Sequence, residues 1–92
     1  MIEAIRLRIH GRVQGVGYRA WLEDEALAHG LRGWVRNRRD GSVEALLIGE
    51  NDAVEAVIAA CARGPRPAQV RAIERQPDVD DGSSGFAALP TI

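Results

Sequence analysis

The chain of 92 residues contains no lysine, a single cysteine and only four per cent aromatic residues. The lone Cys61 excludes an internal disulfide and a cysteine-rich zinc site. No apolar run approaches the ~18 residues of a membrane span, and the N-terminus alternates in polarity, unlike a signal peptide. We therefore expect a cytoplasmic protein without membrane contact, folded as one domain over residues 1–92.

Because lysine is absent, all 12 basic side chains are arginines, and the formal net charge is −1. The planar guanidinium fork suits bidentate binding of carboxylate or phosphate. Local positive charge on a nearly neutral chain favours a small anion over a long polyanion. The arginines that precede residue 40 are Arg6, Arg8, Arg12, Arg19, Arg32, Arg36, Arg38 and Arg39.

Hydrophobic periodicity predicts an alternation of strands and helices. Apolar residues alternate with charged ones over Ile5–Ile9, which predicts a half-buried strand. A glycine-containing loop over residues 11–17 then precedes a helix over residues 18–29, which Gly30 ends. The next strand, Leu31–Asn37, leads into Asp40-Gly41, a strong hairpin signal, and a third strand over Ser42–Ile48.

The second half of the chain repeats the helix–strand order. Asp52 is predicted to cap a second helix in a capping-box pair with Glu55. An apolar stripe of that helix comprises Val54, Val57, Ile58 and Cys61. Gly64-Pro65 ends the helix, and a fourth strand with a bulge is predicted over Val70–Arg75. A polar loop over residues 77–85 precedes a short edge strand over Phe86–Leu89, limited by Pro90.

The order β-α-β-β-α-β predicts an α+β fold of the ferredoxin-like split β-α-β type. Two helices are too few to cover both faces of a four-stranded sheet. We therefore expect an antiparallel sheet with both helices on one face and a short C-terminal edge strand.

The loop between the first strand and the first helix is the candidate anion site. Three glycines in residues 11–17 allow a backbone bend that directs several N–H groups to one point. A helix N-terminus also favours an anion, and Arg19 in the first helical turn adds a charged fork. Taken alone, the loop is better explained as a merely tight strand-to-helix connection with an exposed arginine.

Gly15–Ala20 also fits the dinucleotide fingerprint G-x-G-x-x-A, with Asp40 about twenty residues further on. A dinucleotide site needs a crevice between two βαβ halves, and this chain has room for one crossover. The predicted Asp40-Gly41 hairpin also makes the following strand pair antiparallel. We therefore reject this interpretation.

Asn37 ends the second strand, although asparagine is a poor strand former. Its side chain carries both a donor and an acceptor, so it is able to orient a water molecule. Taken alone, Asn37 is better explained as the residue that begins the hairpin turn.

Two segments together resemble a known family. Gly11–Arg19 (GRVQGVGYR) and Gly33–Asn37 (GWVRN) match both signature stretches of the acylphosphatases at matching separation. The resemblance continues through residues 40–45 to Val70 and covers most of the chain. It implies the same ferredoxin-like fold that the periodicity predicts.

The resemblance also implies residue roles. Arg19 corresponds to the family's phosphate-binding arginine, and Asn37 to the asparagine that positions the attacking water. The implied reaction hydrolyses a small-molecule acyl phosphate to carboxylate and inorganic phosphate, without metal ion or other cofactor. Separately, we expect the protein to be a monomer. The implied phosphate-binding residues are Gln14, Gly15, Val16, Gly17, Tyr18 and Arg19.

Several positions are expected to act in packing rather than chemistry. His10 adjoins the loop but is better explained as a strand-end residue than as a general base. His29 and the tail over residues 86–92 depart from the family pattern, and we expect neither to touch the site. Trp21 and Trp34 are expected to pack, as is Cys61.

Two other function classes remain to be weighed. One is a non-catalytic anion-binding or regulatory module that uses the same loop without turnover. The other is an RNA-recognition-like module, since that fold shares the β-α-β-β-α-β order. Such modules stack bases on sheet aromatics. The scarcity of aromatic residues and the net charge of −1 argue against nucleic acid as a partner.

Overall fold

A computed structural model describes residues 1–92, in which five strands form one sheet and two helices pack on one of its faces. No helix has the length and apolarity needed to cross a membrane. The elements in chain order are β1 (Ile2–Arg12), α1 (Tyr18–Ala28), β2 (Arg32–Asn37), β3 (Val43–Glu50), α2 (Asn51–Cys61), β4 (Gln69–Pro77) and β5 (Phe86–Leu89).

The strands lie in the order β4-β1-β3-β2-β5. The four longer strands pair antiparallel, as predicted, and β5 forms the predicted edge strand. β5 pairs parallel with β2, a direction that the sequence analysis did not specify, so the complete sheet is mixed. The reason is the polar segment 78–85, which joins β4 at one edge of the sheet to β5 at the other. It starts β5 beside the beginning of β2, where Gly33 faces Phe86.

Side chains that alternate along the strands form a core between the sheet and the helices. Ile5, Leu7 and Ile9 are buried on β1, as the period-2 pattern predicts. The predicted stripe of α2 is buried in the same cluster, and Cys61 packs there as a small apolar residue. Burial raises the pKa of the Cys61 thiol to about 12, so the thiol stays protonated at neutral pH.

Two local details test the sequence predictions of turns and bulges. The bulge is confirmed: His10 faces Ala72 and Gly11 faces Val70, which leaves Arg71 without a partner on β1. The capping box is wrong, because β3 continues to Glu50 and α2 begins at once, with no side-chain cap. Asp52 lies inside the first turn, and Glu55 instead pairs with Arg75 on β4 at 3.0 Å.

The sheet face opposite the helices carries an arginine cluster around one buried carboxylate, which the sequence did not reveal. The Glu44 side chain on β3 is only 3% exposed. It accepts hydrogen bonds from Arg36 Nε at 2.9 Å and Arg38 Nη1 at 3.1 Å, and Arg6 and Arg8 flank it. Burial opposes ionisation of Glu44, but Arg36 and Arg38 outweigh it and hold the pKa of Glu44 below its usual range.

Gly33 is the glycine that the sheet most requires. Its φ is 129°, and a Cβ at this position would lie 1.9 Å from the carbonyl oxygen of Leu46 on β3. Since that oxygen belongs to backbone in the centre of the sheet, it has no room to move. Gly82 also has a positive φ, 82°, but a Cβ there meets nothing within 4 Å.

We expect Gly33→Ala to lower the free energy of unfolding by about 3 kcal/mol or more, since backbone strain and overpacking add. Gly82→Ala introduces backbone strain without overpacking, and we expect it to lower the free energy of unfolding by about 1–2 kcal/mol. Urea unfolding of the two variants measures the difference. Equal losses would show that the close approach of β2 and β3 does not constrain residue 33.

Candidate active site

The loop between β1 and α1 bends at two glycines that lie in left-handed conformations. Gly15 has a φ of 71° and Gly17 a φ of 81°, whereas no non-glycine residue has a positive φ. The sign of φ therefore alternates through Gly15, Val16 and Gly17, an arrangement that directs successive N–H groups towards one side. Gly17 also caps α1 without a side-chain hydrogen bond, which leaves the N–H groups of the first helical turn available to a ligand.

A cavity of about 410 Å³ opens in front of this loop. The predicted site residues converge there, except Val16, whose side chain packs against the hydrophobic core. Glu23, Ala20 and Ala88 also line the cavity, although the sequence did not indicate them. The full lining comprises Val13, Gln14, Gly15, Gly17, Tyr18, Arg19, Ala20, Glu23, Asn37 and Ala88.

Arg19 projects from the first turn of α1 and is half-buried at the cavity wall. It forms no ion pair with a carboxylate of the chain. Its one hydrogen bond is a long one, 3.4 Å from Nη1 to the carbonyl oxygen of Leu89 on β5. The guanidinium therefore keeps most of its donors and its charge for an anion in the cavity.

Asn37 ends β2 and faces Val43 across the hairpin. Its side chain makes no hydrogen bond within the protein. The turn is instead held by Asp40, whose Oδ1 accepts from the Ser42 N–H at 2.9 Å and from the Ser42 hydroxyl at 2.6 Å. Asp40 thus makes the side-chain hydrogen bonds that stabilise the turn, a role for which Asn37 was also suited. The side-chain amide of Asn37 therefore remains available to a ligand in the cavity.

Gln14 links the loop to the hairpin that carries Asn37. Its Nε2 donates to the carbonyl oxygens of Arg38 at 2.7 Å and Ser42 at 2.9 Å. Both donors of the Gln14 side-chain amide are thereby occupied. Only the backbone of Gln14 therefore remains for the phosphate-binding role that the sequence analysis assigned to this residue. β3 lies between β1 and β2 in the sheet, and Gln14 bridges across its first residues.

Tyr18 fixes the start of α1 against α2. Its buried hydroxyl donates to the carbonyl oxygen of Cys61 at 2.6 Å, and a Cβ on Gly64 would lie 2.7 Å from the Tyr18 ring. Burial raises the pKa of the Tyr18 phenol, which therefore stays protonated as a donor. The Trp21 ring packs edge-on at 5.3 Å between centroids, in the packing role expected for it.

The C-terminal segment lies against the site, so the expectation that it stays clear is wrong. Ile92 N–H donates to the Asn37 carbonyl at 3.2 Å, and Arg39 N–H donates to the Ile92 carbonyl at 2.9 Å. Leu89 contacts Arg19, as described above. The parallel pairing of β5 with β2 explains the placement, because it carries the chain towards the end of β2. His29, by contrast, ends α1 and does not line the cavity.

Neither of the other sequence candidates joins the cavity. His10 pairs with Glu74 across β1 and β4 and lies outside the cavity lining. Trp34 lies on the open sheet face, with the Arg36 guanidinium 4.6 Å from its ring centre and its Nε1 donating to Asp81 at 3.1 Å. The structure contains no group of three or more histidine, cysteine or acidic residues placed to hold a metal ion.

Comparisons with known proteins give matches to one family. The sequence profile of the family described as Acylphosphatase matches residues 5–88. The chain is 48% identical to an acylphosphatase of Azorhizobium caulinodans, with both chains fully covered. It is 60% identical over 83 residues to one of Rhodopseudomonas palustris, covering 86% of this chain and 84% of the relative. The crystal structure of acylphosphatase from Bacillus subtilis superposes with a TM-score of 0.92 at 34% identity, covering 97% and 99% of the two chains.

The bridge between loop and hairpin generates a prediction. Gln14→Leu keeps the side-chain volume but removes two hydrogen bonds, and we expect it to lower the free energy of unfolding by about 1–2 kcal/mol. Hydrogen exchange of the Gly41 amide in the hairpin turn is expected to accelerate.

Gln76→Leu is the matched control, since Gln76 is exposed and its side chain makes no hydrogen bond. Urea unfolding and amide exchange measure both variants. If Gln14→Leu behaves like Gln76→Leu, the loop and the hairpin are held together by other contacts.

Proposed function

The chain belongs to the acylphosphatase family and hydrolyses the carboxyl–phosphate bond of acyl phosphates, and we propose that it does so in the cavity between the β1–α1 loop and the end of β2. The observation that carries this location is the convergence of Arg19 and Asn37 on one cavity, both with side chains free of ion pairs and strong internal hydrogen bonds. Water attacks phosphorus, the bond from phosphorus to the acyl oxygen breaks, and carboxylate and inorganic phosphate leave.

The loop binds the phosphoryl group of the substrate. The N–H groups of residues 14–19 donate to its oxygens, helped by the positive end of the α1 dipole. Phosphoryl transfer proceeds through a loose transition state whose negative charge spreads over three equatorial oxygens. Donors that are already oriented stabilise this charge without reorganising during the reaction.

Arg19 supplies the one full positive charge of the cavity lining. Its fork donates to two phosphoryl oxygens at once. The Leu89 carbonyl at 3.4 Å restrains the guanidinium from the side of β5. Because this partner is neutral, it orients Arg19 without cancelling its charge.

Asn37 positions the attacking water. Its carboxamide accepts one hydrogen bond from the water and is fixed by the hairpin and by the Ile92 contact to its backbone. No histidine lines the cavity, and a phosphoryl oxygen of the substrate takes the proton of the water. The leaving carboxylate is a weak base, so its departure requires no strong general acid.

The reaction requires no metal ion in this proposal, since the loop N–H groups and Arg19 carry the electrostatic stabilisation. We propose that the protein acts as a monomer. A cytoplasmic location remains our expectation from the sequence. Sedimentation of the active protein tests its oligomeric state, and assay in EDTA tests the metal requirement.

The alternative classes predict different behaviour. A non-catalytic anion-binding module would bind phosphate at the same loop without turning over an acyl phosphate. An RNA-recognition-like module would need free aromatic rings on the open sheet face. The one ring there, that of Trp34, is engaged by Arg36 and Asp81, which disfavours that class.

Arg19→Ala is expected to lower kcat for benzoyl phosphate by about a hundredfold to a thousandfold, the range for loss of one transition-state donor. It also weakens inhibition by inorganic phosphate, because the same fork binds the product. Steady-state assays in EDTA measure both effects. Arg12→Ala is the control: Arg12 is exposed, lies at the same end of β1 and makes no side-chain hydrogen bond. Unchanged phosphate inhibition in Arg19→Ala would refute the role given to Arg19.

Asn37→Ala is expected to lower kcat by about a hundredfold or more while phosphate inhibition changes by less than about threefold. The reason is that Asn37 contacts the water rather than the phosphate. Asn51→Ala, at the exposed start of α2, provides the control for loss of an asparagine. Equal losses in kcat and in phosphate affinity would make Asn37 a binding group instead.

A further inference from the structure

Glu23 is a cavity residue to which the reaction as described gives no role. It follows Arg19 by one turn of α1, so both side chains project from the same helix face. It is half-buried and is the one acidic residue of the lining. No hydrogen bond or ion pair of the chain involves its carboxylate, and it lies beyond ion-pair distance of Arg19.

The position of Glu23 relative to the loop indicates which part of the substrate it meets. The phosphoryl group occupies the N-terminal end of α1, where the loop N–H groups and Arg19 converge. Attack on phosphorus is in line, so the acyl group leaves opposite the water that Asn37 holds. Ala20 and Glu23 of α1 and Ala88 of β5 line the cavity but bind neither phosphate nor water in the proposed reaction, so we assign them to the wall that meets the acyl group.

This wall combines small apolar side chains with one negative charge. The small side chains of Ala20 and Ala88 leave room for an uncharged group, and they have no polar atoms that would need a hydrogen-bond partner on it. A carboxylate on the acyl group would face Glu23 in a partly enclosed site, where like charges repel more strongly than in bulk water. An ammonium group at the same place would be attracted.

We propose that Glu23 is a specificity-determining residue that admits uncharged and cationic acyl groups and rejects acyl groups bearing a second carboxylate. The proposal rests on the proposed function, because it assigns the acyl end of that same site. The substrate class is therefore the phosphate anhydride of a monocarboxylic acid without further negative charge. Specificity of this kind arises from a repulsive element as much as from new contacts.

Three substrates that share the benzoyl ring and differ in the charge of the para substituent probe this charge: benzoyl phosphate, 4-carboxybenzoyl phosphate and 4-(trimethylammonio)benzoyl phosphate. For each, kcat/KM of Glu23→Gln is divided by that of the wild-type chain, which cancels the intrinsic reactivity of the leaving group. Asp24→Asn is the matched control. It makes the same charge change on the same helix, but Asp24 is exposed and outside the cavity.

The effect of Glu23→Gln on kcat/KM is compared with its effect on benzoyl phosphate. By that measure we expect a rise of about fivefold for the carboxylated substrate and a similar fall for the cationic one. These factors correspond to unit charges ~6–8 Å apart in a partly solvated site. The differences are expected to shrink in 1 M salt, where the screening length is about 3 Å. Asp24→Asn is expected to shift all three ratios by less than about twofold, because an exposed charge is well screened.

Two results would overturn the proposal while the proposed function stands. One is an equal response of all three substrates to Glu23→Gln, or a response that Asp24→Asn reproduces. The other is loss of turnover for all three, which would place Glu23 in the chemical step. Absence of benzoyl phosphate turnover by the folded wild-type chain is a separate outcome, and it would overturn the proposed function together with this inference.

Discussion

The active site depends on one bridge, the pair of hydrogen bonds from the Gln14 amide to the carbonyls of Arg38 and Ser42. The phosphate loop follows β1, and Asn37 ends β2, but β3 lies between these strands. Sheet pairing alone therefore does not bring the loop beside Asn37. Gln14 spans the start of β3 and joins the two, and the C-terminal segment adds contacts to Arg19 and to the Asn37 backbone from the other side. The position of the bound phosphoryl group relative to the attacking water is thus set by polar contacts between loops.

The distribution of charge separates the site from the rest of the arginine-rich surface. On the open sheet face, Arg6, Arg8, Arg36 and Arg38 surround the buried Glu44, and Asp78 pairs with Arg6 at 2.7 Å. Those guanidinium groups already pair with carboxylates, so they have little capacity left to bind an anion. Arg19 alone lines the cavity without a carboxylate partner within ion-pair distance. A single uncompensated charge beside oriented N–H groups favours a compact dianion over a long polyanion, in agreement with a small-molecule substrate.

Periodicity and turn signals were sufficient to predict the element order and the buried faces, since Ile5, Leu7 and Ile9 alternate and the α2 stripe recurs at helical spacing. Arg19 and Asn37 were indicated by motifs, and both line one cavity. The parallel direction of β5 was not predictable, because it follows from where residues 78–85 cross the sheet. The contacts of Leu89 and Ile92 depend on that crossing. Glu44 and Glu23 were missed for a related reason: a lone acidic residue in a strand or helix looks solvent-facing until the tertiary fold places arginines or a cavity beside it.

The most direct test of the account is a phosphate titration of the isotope-labelled chain followed by amide and guanidinium chemical shifts. We predict saturable shifts that are largest for the N–H groups of residues 14–19 and for Arg19 Nε, and that are lost in Arg19→Ala. Shifts centred on Arg6, Arg8 and Arg36 of the open sheet face, with the loop unaffected, would contradict the account. They would show that the anion binds at the arginine cluster and not at the β1–α1 loop.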